Sequence, residues 1–139
     1  MNDFVFIKLG KRFSKIYFSE IKYAEAVKKY VRIVTPKKVH LILASMCSVE
    51  KTLPANQFCR IHRSYLISLE YTTDFDSDVV YIGDKIFPIG KQYRGILHQR
   101  VITLSNERPE FISESHNDAL NIITKIEDLG YTALQNYKS

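Results

Sequence analysis

The stretch Phe58–Leu69, FCRIHRSYLISL, alternates as a β-strand would, except at its centre. Every second residue from Cys59 onward forms an apolar face, and Arg63 interrupts that face. A buried guanidinium needs a carboxylate partner, because burial of an unpaired charge is costly. A kink at His62–Ser64 would instead place Arg63 outside the core, available to an anionic ligand. The stretch alone leaves both arrangements open.

The length and composition predict one globular domain with an appendage. The chain has 139 residues, of which 45% are hydrophobic and 12% aromatic. No run approaches the roughly 20 apolar residues of a membrane span. The N-terminus also lacks the long apolar region of a signal peptide. We therefore expect a cytoplasmic protein without membrane contact.

The charge is distributed unevenly along the chain. Residues 1–105 contain 17 Lys and Arg against 9 Asp and Glu, whereas residues 106–139 contain 3 against 6. The first part therefore carries the basic excess, which attracts polyanions such as nucleic acid. An anionic membrane, or simply a soluble surface, would also explain it.

Residues 4–44 are predicted to form consecutive strands. Gly10 suits a tight hairpin turn, and Pro36 suits the second position of a type I turn. The five apolar runs are FVFIKL, FSKIYF, IKYAEA, YVRIVT and VHLILA. Short, regularly spaced runs of this kind favour a sandwich or barrel over alternating βαβ units.

Further elements are predicted after this region. Ser45 or Ser48 can cap a short helix that ends before Pro54. The pair Gly83–Asp84 suits a two-residue hairpin turn, and residues 91–101 are typical of one or two helical turns.

Catalytic and metal sites are not predicted. Cys47 and Cys59 are too few for a disulfide framework, so we expect two buried thiols. These cysteines and the histidines lack the close ligand pairs of zinc sites. His62 and Ser64 flank Arg63, but nucleophilic catalysis also requires a group that orients the base. The sequence contains no phosphate-binding or dinucleotide-binding glycine motif. We therefore expect no catalytic activity and no cofactor.

Basic and polar residues recur at predicted strand ends in three separate segments. Arg and Lys can pair with phosphates or guanine, and Gln92 can bind adenine in a major groove. The candidate residues are Lys28, Lys29 and Tyr30 in the first segment, Arg63 in the second, and Lys91, Gln92 and Arg94 in the third. They form one site only if the fold brings the three segments together; otherwise they are scattered solvated charges.

Two blocks of the sequence, FCRIHRSYLISL and IFPIGKQYRGIL, resemble the signature blocks of the LytTR DNA-binding domain family, in the same order. The segment YAEAVKKYVRIVT resembles the strand, loop and strand that precede them, so that the resemblance covers about residues 4–100. It implies a mainly β fold, an elongated stack of small antiparallel sheets with one or two short helices. It also implies a bacterial transcription regulator, usually the output half of a two-component response regulator.

The resemblance implies a role for each of the three segments. Members of the family insert loops into successive major grooves of double-stranded DNA, and Arg63 matches a residue on one of those loops. Lys28 and Lys29 lie on a second loop, with Val31 close to a contacting position where the sequence offers no polar group. Lys91, with Gln92 and Arg94 beside it, lies on the third. The implied function is sequence-specific regulation of transcription.

The resemblance ends before the last part of the chain. We therefore predict a DNA-binding domain over residues 1–105 and a tail over residues 106–139. Ser115 can cap a helix from His116 to Leu129 with an apolar stripe. This stripe would pack on the tail's own domain, mediate a homodimer on DNA, or bind a partner protein.

The alternatives concern the whole protein. The main one is a protein-interaction module in which the basic surface and the tail helix bind a protein partner. A weaker one is an RNA-binding β domain, with Tyr30, Tyr65 and Tyr93 stacking on unpaired bases. Because strands begin at Phe4, no receiver domain is recognisable. We therefore expect either an excised output domain or a free-standing regulator.

Overall fold

Ten β-strands and two short α-helices make up the computed structural model, which describes residues 3–105. The chain up to Ile102 forms one compact unit. The strands are β1 Phe4–Leu9, β2 Arg12–Tyr17, β3 Tyr23–Val27, β4 Tyr30–Val34, β5 Val39–Leu43, β6 Phe58–His62, β7 Tyr65–Ser68, β8 Asp74–Phe75, β9 Val79–Ile82 and β10 Lys85–Pro88. The helices are α1 Met46–Thr52 and α2 Ile96–Arg100, and single 3₁₀ turns occur at Phe18–Glu20 and Lys91–Tyr93.

The strands form three antiparallel sheets. The first is the β1–β2 hairpin, the central sheet has the order β5-β4-β3-β7-β6, and the third has the order β10-β9-β8. This confirms the mainly β fold of small antiparallel sheets with short helices. The predicted tail helix, from His116 to Leu129, lies outside the described residues, and the boundary at residue 105 stays a prediction.

Each face of the central sheet contributes to a core, because its strands alternate side chains between two clusters. The exception is β5, which leaves Val39, Leu41 and Leu43 exposed on one face. On one face, Ala24, Val31 and Leu66 belong to a cluster with Ile16 of the hairpin and Val49 of α1. The opposite face contributes Tyr23, Cys59 and Ile67 to a second cluster, which contains Val80 and Phe87 of the third sheet and Leu97 of α2. The sheet is therefore fixed from both sides.

The local signals in the sequence agree with the turns and caps observed. Gly10 and Gly83 have φ values of +66° and +64°, in the region that favours glycine. Ser45, rather than Ser48, caps α1, and its Oγ accepts a hydrogen bond from the Ser48 amide at 3.1 Å. The prediction that both cysteines are buried is wrong for Cys47, which lies on the exposed side of α1.

The stretch Phe58–Leu69 is not one continuous strand, because a turn interrupts it at its centre. Strand β6 ends at His62 and β7 begins at Tyr65, with a shift of register between Arg60 and His62. Such a bulge adds a residue to one strand and redirects the side chains that follow. Arg63 is therefore exposed in the turn. Within residues 3–105, no helix has the length and apolar character needed to cross a membrane.

The turn between β3 and β4 contains a residue under conformational strain. Lys28 has a φ of +56°, at the first position of a two-residue turn where glycine is favoured. A side chain in this region costs about 1 kcal/mol or more. We therefore expect the Lys28→Gly variant to be more stable than the Lys28→Ala variant. Urea denaturation should show a difference of about 1 kcal/mol in their free energies of unfolding.

The matched control is Lys29, whose φ is not positive. There the alanine variant should be at least as stable as the glycine variant, because glycine loses more freedom on folding. The same difference between glycine and alanine at both positions would contradict the assigned turn.

Candidate nucleic-acid interface

The three predicted segments lie at one end of the central sheet. Val27 pairs with Tyr30 across the first turn, and Glu25 pairs with Tyr65, the first residue of β7. The antiparallel register therefore places the β3–β4 turn and the β6–β7 turn at the same end. The Ala26 amide of β3 donates a hydrogen bond to the Ser64 carbonyl at 2.9 Å, which connects the β6–β7 turn to the strand end that leads into the β3–β4 turn.

The third segment joins this end through a backbone contact. The Gly90 amide donates a hydrogen bond to the Ile61 carbonyl at 2.9 Å. A Cβ atom on Gly90 would lie 3.2 Å from Tyr93 Cδ2 and 3.5 Å from His62 Cδ2, so a larger residue would crowd this contact. The segment that carries Lys91 is thus packed against the turn that carries Arg63.

Arg60 fixes the backbone of the β6–β7 turn. Its Nε donates to the His62 carbonyl at 3.0 Å, and its Nη2 donates to the Arg63 carbonyl at 2.7 Å. Its Nη1 donates to Glu50 Oε1 of α1 at 3.0 Å. The turn is closed by the Ser64 amide, which donates to His62 Nδ1 at 3.0 Å. The side chain of Arg63 thereby projects from a turn whose backbone is held on several sides.

The charge of Arg60 is stabilised where it lies. Burial disfavours the charged guanidinium, but the contacts with Cys47 and Glu50 outweigh burial and raise the pKa of Arg60. Its side chain is 13% exposed, whereas that of Glu50 is 42% exposed. The guanidinium of Arg60 therefore forms hydrogen bonds within the protein and is largely shielded from solvent.

All seven predicted site residues are exposed: Lys28, Lys29, Tyr30, Arg63, Lys91, Gln92 and Arg94. The ammonium of Lys29 lies 5.9 Å from the centroid of the Tyr30 ring, which is within the range of a cation–π contact. Val31, by contrast, has no exposed surface and packs in the first core. The side chain of Val31 points into the protein, so the surface of the first loop comes from Lys28, Lys29 and Tyr30.

Most of the cations at this end form no ion pair with an acidic side chain in the described part of the chain, residues 3–105. Of the ion pairs within residues 3–105, only one includes a predicted site residue, and it joins Arg94 Nη2 to Asp78 Oδ1 at 3.0 Å. Lys28, Lys29, Arg63 and Lys91 are therefore available to an external anion, whereas Arg94 already has a carboxylate partner.

Not all of the basic residues of the chain lie on this surface. Lys37 and Lys38 connect β4 to β5, at the opposite end of the central sheet. The chain's positive charge is thus more widespread than the three loops. Within residues 3–105, no group of three or more His, Cys, Asp or Glu side chains is arranged to hold a metal ion.

The roles of Arg60 and Glu50 were not predicted from the sequence. Arg60 belongs to the signature block, but its partner lies ten residues earlier on a helix. Alternation along β6 shows only that Arg60 and Cys59 lie on opposite faces. A pairing between a strand and a helix depends on how α1 packs, which no local pattern reports.

Comparison with known proteins agrees with this geometry. The family model described as the LytTr DNA-binding domain matches residues 11–101. A solved structure from Bacillus cereus, described as the LytTr DNA-binding domain of a methyl-accepting/DNA response regulator, is similar to this chain with a TM-score of 0.60 and 20% identity. The similarity covers 72% of this chain and 97% of the solved one. No curated protein matches.

The family match extends over more than half of the chain and includes all three loops, while the solved structure shows the same fold. The chain belongs to the LytTR family of DNA-binding domains.

Proposed function

We propose that the protein is a sequence-specific transcription regulator that inserts its three loops into the major groove of double-stranded DNA. The observation that supports this most is the convergence of Lys28, Lys29, Arg63 and Lys91 at one end of a rigid sheet, without acidic partners among residues 3–105. DNA offers phosphates and guanine edges to such cations.

The three loops have different roles in this proposal. Arg63 and Lys91 lie on adjacent turns with fixed backbones, and they contact base edges. Lys28 and Lys29 form a narrow turn of flexible point charges, which suits phosphates. Gln92 is exposed beside Lys91 and binds an adenine edge. Arg94 contributes less than the others, because it gives up the Asp78 contact on binding.

The regulator works by occupying and bending promoter DNA, and part of its specificity comes from flexible base steps that it does not touch. The solved relative is described as part of a response regulator. We propose the same place for this protein, as the output of a two-component system in the bacterial cytoplasm. A homodimer on DNA and a partner protein for residues 106–139 are further predictions.

Selection of bound duplexes from a random pool tests this function. We expect an enriched motif at moderate salt. Alanine at Arg63 or Lys91 should then cost about 1 to 3 kcal/mol of binding to the selected duplex and relax the preference at one base pair. The free energy of unfolding should change by less than about 0.5 kcal/mol, because both side chains are exposed.

Lys38→Ala is the matched control, because it removes an exposed lysine at the opposite end of the sheet. It should leave the preference unchanged. A pool without an enriched motif would contradict sequence-specific binding, and equal losses for Lys38→Ala and Lys91→Ala would contradict the proposed surface.

The lysines of the first loop should position the DNA without reading its sequence. Lys29→Ala should weaken binding to all duplexes alike and reduce the slope of log K against log salt by about 0.9 for the lost phosphate contact. Affinities measured at several salt concentrations, on the selected and a scrambled duplex, check this. A change in the preferred sequence would show that Lys29 reads a base.

Arg60 should affect DNA recognition without touching DNA. Arg60→Lys keeps the positive charge but loses the fork that binds the His62 and Arg63 carbonyls. We expect a loss of about 2 kcal/mol in the free energy of unfolding for the two lost hydrogen bonds. We also expect a weaker preference at the base pair that Arg63→Ala identifies.

The matched control is Arg94→Lys, the same substitution in an ion pair whose two side chains are 58% and 66% exposed. It should change stability little, since such pairs contribute about 0 to 1 kcal/mol. The opposite result is an Arg60→Lys variant that binds every duplex more weakly by the same factor and keeps its base preference. That result would show that Arg60 does not position Arg63.

A further inference from the structure

A cavity of about 490 Å³ lies between the β1–β2 hairpin, strand β5 and helix α1. None of the seven predicted DNA-contacting residues lines it. Its volume falls within the range of small-molecule sites, about 300 to 1,000 Å³. The cavity is therefore a candidate site separate from the surface described above.

The walls of the cavity are mainly aliphatic. Ile7 comes from the hairpin, Ile33 and Ile42 from the central sheet, and Val49 and Leu53 from the helix and its C-terminal end. No aromatic side chain except Phe6 lines it, and Phe6 is 52% exposed. Such walls favour a flexible aliphatic chain, which gains free energy for each methylene that leaves water.

The charge at the cavity has one sign. Lys8 lines it, and no aspartate or glutamate does. Lys8 is exposed, and it forms no ion pair with an acidic residue within residues 3–105. An amine would be repelled here, and a hydrocarbon would gain nothing from the ammonium, which is exposed to water. A carboxylate matches the charge.

We propose that this cavity binds a free straight-chain aliphatic carboxylate, with the chain against the aliphatic walls and the carboxylate at Lys8. The ligand is a medium-chain molecule in solution. It is distinct from DNA, and its site involves neither of the two signature blocks.

The position of α1 connects this site with the DNA-binding end. Val49 of α1 faces the cavity, while Glu50, the next residue, binds Arg60, and Arg60 holds the carbonyls of His62 and Arg63. A ligand that fills the space beside α1 fixes the helix and, through Glu50, the turn. This coupling rests on the proposed DNA-binding function, and it predicts that the carboxylate tightens binding to the selected duplex.

Calorimetric titration of the full chain with hexanoate, octanoate and decanoate, all below their micellar concentrations, tests the site. We expect one saturable site and an affinity that rises about 15-fold for each added pair of methylenes, equivalent to about 0.8 kcal/mol per methylene. Lys8→Met should weaken decanoate about tenfold and leave 1-decanol unchanged.

Lys11→Met is the matched control, because Lys11 lies at the turn of the same hairpin but does not line the cavity. Absence of saturable binding, affinity that does not depend on chain length, or equal losses for Lys8→Met and Lys11→Met would overturn the site. Binding to phosphatidylglycerol vesicles without binding to free decanoate would also overturn it, in favour of a membrane surface.

A second measurement tests the coupling. Saturating decanoate should raise the affinity for the selected duplex at least about fivefold, and the duplex should raise the affinity for decanoate by the same factor. Glu50→Gln should reduce this factor and leave decanoate binding to the free protein intact. Decanoate that binds without changing DNA affinity would overturn the coupling alone. If the chain binds no duplex, the proposed function fails while the titration still decides the site.

Discussion

The hydrogen bonds of the Arg60 guanidinium are the interactions on which the end of the central sheet that carries the three loops depends. The guanidinium bonds to two carbonyls of the β6–β7 turn and to a carboxylate of α1, so that one side chain connects a strand, a turn and a helix. Hydrogen bonds from a charged donor are stronger than neutral ones, and partial burial protects them from screening. The turn can therefore present Arg63 to solvent without becoming flexible itself.

The remainder of the fold supplies a platform for this turn. Because β3, β6 and β7 contribute side chains to a core on each face of the sheet, their ends keep their relative positions, and the two turns that leave one end are held close. The third loop adds no strand to this sheet, but it is fastened by the Gly90 amide to the carbonyl of Ile61. Three segments are thus joined by backbone hydrogen bonds into one surface. A surface formed in advance loses less entropy when it binds a ligand.

The sequence predicted what depends on neighbouring residues. The alternation from Phe4 to Leu43 identified five strands to within about two residues, and Gly10 and Gly83 identified two turns, because these signals act locally. Non-local features were missed. The exposure of Cys47, the burial of Val31 and the pairing of Arg60 with Glu50 depend on which face of a strand or helix meets another element. Only the resemblance predicted that the three loops converge, because alternation of apolar residues does not predict the order of strands in a sheet.

The bulge between Arg60 and His62 has an evolutionary consequence. Each strand residue points to the face opposite its neighbours, so inserting or deleting one residue between Phe58 and Arg60 would move Arg60 to the other face of β6, away from α1. Substitutions at exposed positions such as Arg63 leave this pairing intact, whereas a change of length in β6 breaks it. Sequence change in β6 that preserves the fold is therefore expected to exchange residues at fixed spacing and not to add or remove them.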